Sequence, residues 1–149
     1  MLARVRSALP VLVAAGLTFL TAGCGSSSHA TSTSPGGSAA TVTAGAHLDV
    51  NAFSDLISRP GVVVLDVRTP AEFAAGHLSG AKNVDVEATD FASQIGSLDH
   101  SATYAVYCRT GVRSGMALQQ MLGSGFTQVV DLSGGITAWT GAGKPVTTS

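Results

Sequence analysis

The stretch Val62-Val-Val-Leu-Asp-Val67 decides the fold class predicted for this chain. Its side chains are β-branched or aliphatic, except for one acidic residue near the end. A strand with one solvated face alternates apolar and polar residues, whereas a continuously apolar strand is covered on both faces. The stretch therefore predicts a mostly parallel sheet that lies between two layers of helices.

Strands and helices are predicted to alternate along the sequence on both sides of this stretch. Besides residues 62–67, strands are expected at 104–108, near Leu48, at 83–86 and at 128–132. Helices are expected at 52–58, 70–75, 90–98, 112–122 and 136–141. The predicted fold class is an α/β domain with an open, mostly parallel five-stranded sheet flanked by helices.

Residues 1–23 have the layout of a secretory signal peptide. Arg4 and Arg6 precede an apolar run at 8–20, which is shorter than the roughly 20 apolar residues that a membrane span needs. The run ends in Leu20-Thr-Ala-Gly-Cys24, which resembles a bacterial lipobox. That resemblance implies cleavage before Cys24 and its lipidation. The alternative is an ordinary signal peptide that happens to contain a cysteine.

Residues 24–46 are predicted to form a flexible linker between the lipid anchor and a folded domain at 47–149. From residue 25 onward the linker is rich in Gly, Ser, Thr, Ala and Pro and contains no Asp, Glu, Lys or Arg. Such a composition cannot bury a core. We therefore expect an exported domain anchored at the outer face of the cytoplasmic membrane or at the cell surface. A leader without an anchoring role is the alternative.

The charge balance and the cysteine count exclude several classes of function. Without the leader that carries Arg4 and Arg6, six Lys and Arg residues face nine Asp and Glu residues. No polybasic patch is present, so a nucleic acid partner is not expected. No Cys and His cluster has the spacing of metal ligands, and no metal or organic cofactor is predicted. With Cys24 lipidated, Cys108 is the one remaining thiol.

The candidate nucleophile is Cys108, which ends the predicted strand 104–108 and precedes a predicted helix. A short loop between a strand end and a helix start directs several backbone N–H groups at one point and holds an anion there. We expect the sulfur at this point, so that the thiolate is favoured over the thiol. The candidate substrate-binding residues of the loop are Arg109, Thr110, Gly111, Val112, Arg113 and Ser114. The alternative is a small buried side chain without reactivity.

Three motifs resemble those of the rhodanese family of thiosulfate sulfurtransferases. The run Cys108-Arg-Thr-Gly-Val-Arg-Ser114 is similar to the active-site loop of that family. Upstream, Leu65-Asp-Val-Arg-Thr-Pro-Ala-Glu-Phe73 and Gly76-His-Leu-Ser-Gly-Ala-Lys-Asn83 resemble its second signature. Downstream, Asp131-Leu-Ser-Gly-Gly-Ile-Thr-Ala-Trp139 resembles its closing motif. The motifs cover nearly all of the predicted domain, so the chain is similar to a single-domain rhodanese.

This resemblance implies a two-step sulfur transfer through a persulfide on Cys108. The expected donor is thiosulfate or a related small sulfur anion, and the expected acceptor is a thiol or a cyanide-like nucleophile. A persulfide carrier or redox-sensing module with little turnover is the main alternative, and a rhodanese-like scaffold without catalysis is another. The phosphatase and arsenate-reducing relatives need an arginine six places after the cysteine, where this chain has Ser114. Their chemistry is therefore disfavoured.

Five further residues belong to the quoted motifs. The resemblance suggests that Asp66 pairs with an arginine of the loop and that Arg68 lies close to it. An ion pair that stabilises the fold is at least as consistent with these two residues as a contact with substrate. For Glu72 and His77 the resemblance suggests hydrogen bonds that hold a loop in place, and attack by a preformed thiolate needs no general base. Trp139 is expected to pack the last helix onto the sheet.

Overall fold

The computed structural model describes residues 42–149. The predicted signal peptide, Cys24 and the linker as far as residue 41 lie outside the described residues. Within residues 42–149, no helix is long and apolar enough to cross a membrane.

A strand is present at each of the five predicted places, and the five form a single sheet; the third strand covers residues 82–83 in place of 83–86. The strands are β1 His47–Leu48, β2 Val62–Asp66, β3 Lys82–Asn83, β4 Thr103–Tyr107 and β5 Val129–Leu132. Their order across the sheet is β1-β5-β4-β2-β3, and every neighbouring pair is parallel. The open parallel sheet predicted from the apolar stretch at 62–67 is confirmed.

Four helices connect successive strands and a fifth follows the last strand, all close to the predicted positions. They are α1 Val50–Ile57, α2 Pro70–Ala75, α3 Phe91–Gly96, α4 Val112–Gly123 and α5 Gly135–Gly141. The start of α2 shows why the sequence folds this way locally. Pro70 occupies the first turn, where its missing N–H costs no hydrogen bond, and Thr69 and Glu72 form a reciprocal capping box.

Two apolar clusters cover the two faces of the sheet, as the sequence of β2 predicts. Leu65 and Val106 belong to one cluster, whereas Val64 and Ala105 belong to the other. Neighbouring residues of a strand point to opposite faces, so each central strand contributes to both clusters. Trp139 of α5 is buried in the second cluster, which confirms its expected packing role.

The parallel arrangement brings the carboxyl ends of the strands to one edge of the sheet. Asp66 ends β2, Cys108 follows β4, and the turn at Ser133 follows β5. Ligands of open α/β sheets bind at this edge, because loops and helix N-termini converge there. The residues of the three quoted motifs therefore meet at one end of the fold.

Candidate active site

Cys108 lies in the short loop between β4 and α4. The N–H of Gly111 donates a hydrogen bond to Cys108 Sγ at 3.1 Å. Gly111 has a φ of 96°, a conformation that costs little only without a Cβ, and it directs this N–H back toward the sulfur. In the described part of the chain, Gly111 is the one loop residue whose amide donates to Sγ, where several were expected. Cys108 itself is 1% exposed.

The first turn of α5 holds the cysteine loop from the other side. Ile136 N–H donates to Cys108 O at 2.8 Å, and Thr137 N–H donates to Arg109 O at 3.1 Å. The Thr137 hydroxyl donates to the same Arg109 carbonyl at 2.9 Å. A Cβ built on Gly135 would lie 2.4 Å from Cys108 O. Only glycine allows α5 to approach the loop this closely.

Arg113 forms ion pairs with two glutamates. Its guanidinium donates to both carboxylate oxygens of Glu72, at 2.7 and 2.8 Å, and to Glu87 at 2.9 Å. The hydrogen bonds from Arg113 hold the pKa of Glu72 at about 2, well below its usual range. The same bonds raise the pKa of Arg113. Arg113 thus has two intramolecular partners, and its expected contact with substrate stays a prediction.

The other residues of the loop differ in exposure. Arg109, Thr110 and Val112 are exposed, whereas Ser114 is fully buried. The Ser114 hydroxyl lies 2.9 Å from Asp131 Oδ2 and 3.1 Å from Gly111 O, and it can donate to either. Its hydroxyl therefore supports the loop from inside the protein.

Asp131 and His47 extend this support to the surface, and sequence reasoning missed both roles. Asp131 is buried, and its second carboxylate oxygen lies 2.5 Å from His47 Nδ1. The two residues face each other in the register of β1 and β5. An acidic residue within the apolar strand Val129–Leu132 was the available signal, because a buried carboxylate needs partners.

Asp66 pairs with Arg68, two residues away, and the expected pairing with a loop arginine is wrong. Arg68 Nε donates to both carboxylate oxygens at 2.9 and 3.0 Å, and its Nη2 donates to Oδ2. Nη2 also donates to Gly76 O at 2.7 Å. Burial disfavours the charge of Arg68, but the Asp66 carboxylate outweighs this effect and raises the pKa of Arg68. The pair locks the end of β2 to the loop after α2.

His77 has the loop-holding role that was expected of it. Its ring stacks on Phe73 with 3.7 Å between the ring centroids, and Nδ1 lies 3.0 Å from Phe73 O. Its backbone exchanges two hydrogen bonds of 2.8 Å with Thr147. Glu72 likewise supports the start of α2 through the capping box.

The sequence profile of the rhodanese-like domain matches residues 49–142. This chain belongs to the rhodanese-like family. A rhodanese-related protein from Thermoplasma volcanium has the same fold, with a TM-score of 0.63 and 28% identity. That similarity covers 70% of this chain and 99% of the other.

Relatives of this rhodanese-like domain include proteins named as sulfurtransferases. The thiosulfate sulfurtransferase GlpE of Pseudomonas putida is 36% identical over 85 residues, which cover 57% of this chain and 76% of GlpE. The probable adenylyltransferase/sulfurtransferase MoeZ of Mycobacterium tuberculosis is 36% identical over 78 residues. These cover 52% of this chain but only 20% of MoeZ, so the similarity concerns one part of that larger protein.

A cleft of about 390 Å³ opens beside the cysteine loop of the rhodanese-like domain. Arg109 contributes to it from the loop, and Ile136 contributes from α5. Arg68 and Glu72 line the side formed by β2 and α2, and Val146 lines it from the C-terminal tail. A ligand can therefore enter a space that borders Arg109, the residue after Cys108.

Proposed function

We propose that this protein is a sulfurtransferase that moves a sulfane sulfur atom through a persulfide on Cys108. The donor is thiosulfate or a related anion, and the acceptor is a thiol or a cyanide-like nucleophile. The hydrogen bond from Gly111 N–H to Cys108 Sγ, in a loop fixed by α5, carries the proposal. Relatives named as sulfurtransferases support the same chemistry.

The first half of the reaction begins with the Cys108 thiolate. It forms a bond to the outer sulfur of thiosulfate as the S–S bond of the donor breaks, and sulfite leaves with the electron pair. In the second half, the acceptor forms a bond to the outer sulfur of the persulfide. The bond to Cys108 Sγ then breaks, and its electron pair returns to Cys108. The sulfur atom moves without an external oxidant or reductant.

One contact of Cys108 suits the charges of this reaction. A hydrogen bond to an ionised acceptor is stronger than one to a neutral acceptor, so the Gly111 N–H favours sulfur in its anionic forms. Arg109 is exposed at the edge of the loop, where its guanidinium can meet the departing sulfite. Because Cys108 is buried, the donor reaches Sγ only when neighbouring residues move slightly.

The burial of Cys108 also favours a second candidate, a persulfide carrier with little turnover. A persulfide shielded from bulk solvent is protected from stray nucleophiles until an acceptor arrives. This candidate shares the first half of the reaction and differs in the speed of the second.

Steady-state transfer from thiosulfate to cyanide tests the proposal and separates the two candidates. The wild-type chain should release thiocyanate over many turnovers, and Cys108→Ser should release none. A single turnover that leaves sulfur on Cys108 would favour the carrier. Equal activity of the wild type and Cys108→Ser would refute both candidates, because both transfer the sulfur through Cys108.

We further propose that the chain is exported and anchored by a lipid on Cys24. The charged start, the short apolar run and the small residues before Cys24 support this localisation. Expression of the full chain in a bacterium fed an alkyne-labelled fatty acid should label the wild type and leave Cys24→Ala unlabelled. Equal labelling of the two chains would refute the anchor.

A further inference from the structure

A chain of hydrogen bonds runs from the surface of β1 to the cysteine loop. His47 Nδ1 lies 2.5 Å from Asp131 Oδ1, and 60% of the His47 side chain is exposed. The other oxygen of Asp131 lies 2.9 Å from the Ser114 hydroxyl, which lies 3.1 Å from Gly111 O. The N–H of Gly111 donates to Cys108 Sγ. These contacts connect a solvated histidine with the sulfur of a buried cysteine.

The register of the sheet places Asp131 on the same face as Cys108. Asp131 lies opposite Val106 in the pairing of β4 with β5. Val106 and Cys108 belong to one apolar cluster, together with Ala117 of α4. Residues opposite each other in neighbouring strands point to the same face of the sheet. Asp131 therefore lies under α4, where it meets Ser114.

The strength of the contact between Asp131 and Ser114 depends on His47. Asp131 is 1% exposed, and a buried charge is unfavourable unless partners stabilise it. A carboxylate is a stronger acceptor than a backbone carbonyl, so the single hydrogen of the Ser114 hydroxyl is directed to Asp131. A buried carboxylate that loses one partner recruits water or a proton, and either competes with the hydrogen bond that remains. Loss of His47 therefore weakens the bond between Ser114 and Asp131.

We propose that His47 and Asp131 are positioning residues for the reaction of Cys108. Asp131 holds the Ser114 hydroxyl, which ties the first turn of α4 to β5. Gly111 caps that turn, and its N–H stabilises the anionic sulfur. The inference rests on the proposed sulfur transfer and adds two residues that lie outside the cysteine loop. A change at the surface of β1 thus alters how readily the buried sulfur ionises.

Alkylation of Cys108 by iodoacetamide across pH tests this inference. The full chain is used without a sulfur donor, and the rate is followed on the peptide that contains Cys108. The readout is the pH at which the rate reaches half of its plateau value, because the thiolate is the species that reacts. A change in access to the sulfur alters the plateau and leaves this midpoint in place.

Two positions of the chain of hydrogen bonds and one control are changed. Ser114→Ala should raise the midpoint by about one pH unit, because the anionic sulfur loses much of its hydrogen bond when the turn loosens. His47→Ala should raise it by about half a unit, since it weakens the same link without removing it. His47→Asn should restore the wild-type midpoint, because its amide N–H takes the place of Nδ1. Thr103→Val removes a hydroxyl that lies 3.2 Å from Gln128 Oε1 at the other end of β4, and it should leave the midpoint unchanged.

The double variant tests whether His47 acts through Ser114. In the Ser114→Ala background, His47→Ala should cause no further rise, because the link is already broken. An additive rise would mean that His47 acts by its charge alone, and it would overturn the inference.

Three other results would also overturn the inference. They are a wild-type midpoint in Ser114→Ala, a wild-type midpoint in His47→Ala, and an equal rise in Thr103→Val. Because most of the His47 side chain is exposed, its variants keep the test decisive even when Ser114→Ala does not fold. Failure of the wild type to form a persulfide with thiosulfate is a separate result, which would refute the proposed sulfur transfer itself.

Discussion

Replacement of Gly135 by alanine tests whether close packing of α5 fixes the cysteine loop. Gly135 has a φ of 58°, and a Cβ there would lie 2.4 Å from Cys108 O and 2.6 Å from Arg109 O. Real Cβ atoms do not approach backbone atoms this closely, so the first turn of α5 has to move away. The movement lengthens the hydrogen bonds from Ile136 N–H to Cys108 O and from Thr137 N–H to Arg109 O.

The expected loss of stability is the sum of two effects. A left-handed conformation costs an alanine about 1–2 kcal/mol. Each of the two weakened hydrogen bonds contributes about 0.5–1.5 kcal/mol. Gly135→Ala should therefore lower the free energy of unfolding by about 2–5 kcal/mol. Gly80→Ala is the matched control, because Gly80 has a φ of 75° and no atom within 4 Å of the added Cβ.

Urea unfolding of the wild type, Gly135→Ala and Gly80→Ala gives the loss of stability in each variant. Intact mass after thiosulfate treatment gives the rate of persulfide formation in each chain. Gly80→Ala should lose only about 1–2 kcal/mol and keep the wild-type rate. Gly135→Ala should lose more and form the persulfide about tenfold more slowly, since misplaced reacting groups slow a reaction steeply. Equal losses of stability and equal rates in the two variants would refute the role given to α5.

Two further predictions concern buried hydrogen bonds and pH. Tyr107→Phe removes the oxygen that accepts from the buried Leu78 N–H at 3.0 Å, and it should cost about 1–3 kcal/mol in urea unfolding. Tyr104→Phe is its control and should cost less, because that hydroxyl donates to a carbonyl of an exposed residue, which water can satisfy. Glu72→Gln keeps a residue suited to the capping box but removes the charge that pairs with Arg113. Since this pairing lowers the pKa of Glu72 from 4.5 to about 2, its stabilisation is complete above pH 4.5 and is lost as the pH falls toward 2. The wild type should therefore be more stable than Glu72→Gln at pH 7, and the difference should shrink in acid; a constant difference would contradict the ion pair.

The sequence was sufficient to predict the sheet and the place of Cys108 at its edge. The continuous apolar run at 62–67 required cover on both faces, and the two apolar clusters provide it. Pro70 marked the start of α2, and the end of the predicted strand at 104–108 placed Cys108 at the correct edge of the sheet. These features depend on local patterns, which a single sequence contains.

The partners of Arg113 and of Asp131 were not predictable from local patterns. Arg113 and Glu72 are 41 residues apart in sequence, and only the packing of α2 beside the cysteine loop brings them together. His47 meets Asp131 because β1 lies next to β5, an order that the sequence did not indicate. These pairings follow from the topology of the sheet.

The pairing of Asp66 could have been predicted. Residues two apart near the end of a strand lie on the same side, so Arg68 was the nearest cation to Asp66. The prediction that several backbone N–H groups of the loop donate to the Cys108 sulfur came from strand-to-helix loops in general. In this chain Gly111 alone supplies the hydrogen bond to Sγ within the described residues.

The central claim is that Cys108 accepts a sulfur atom, and intact mass spectrometry after exposure to thiosulfate tests it most directly. The wild-type chain should gain about 32 Da, the mass of one sulfur atom, on the peptide that contains Cys108. A reducing thiol should remove the added mass, and Cys108→Ser should gain none. An unchanged wild-type mass, or the same gain in Cys108→Ser, would contradict the account.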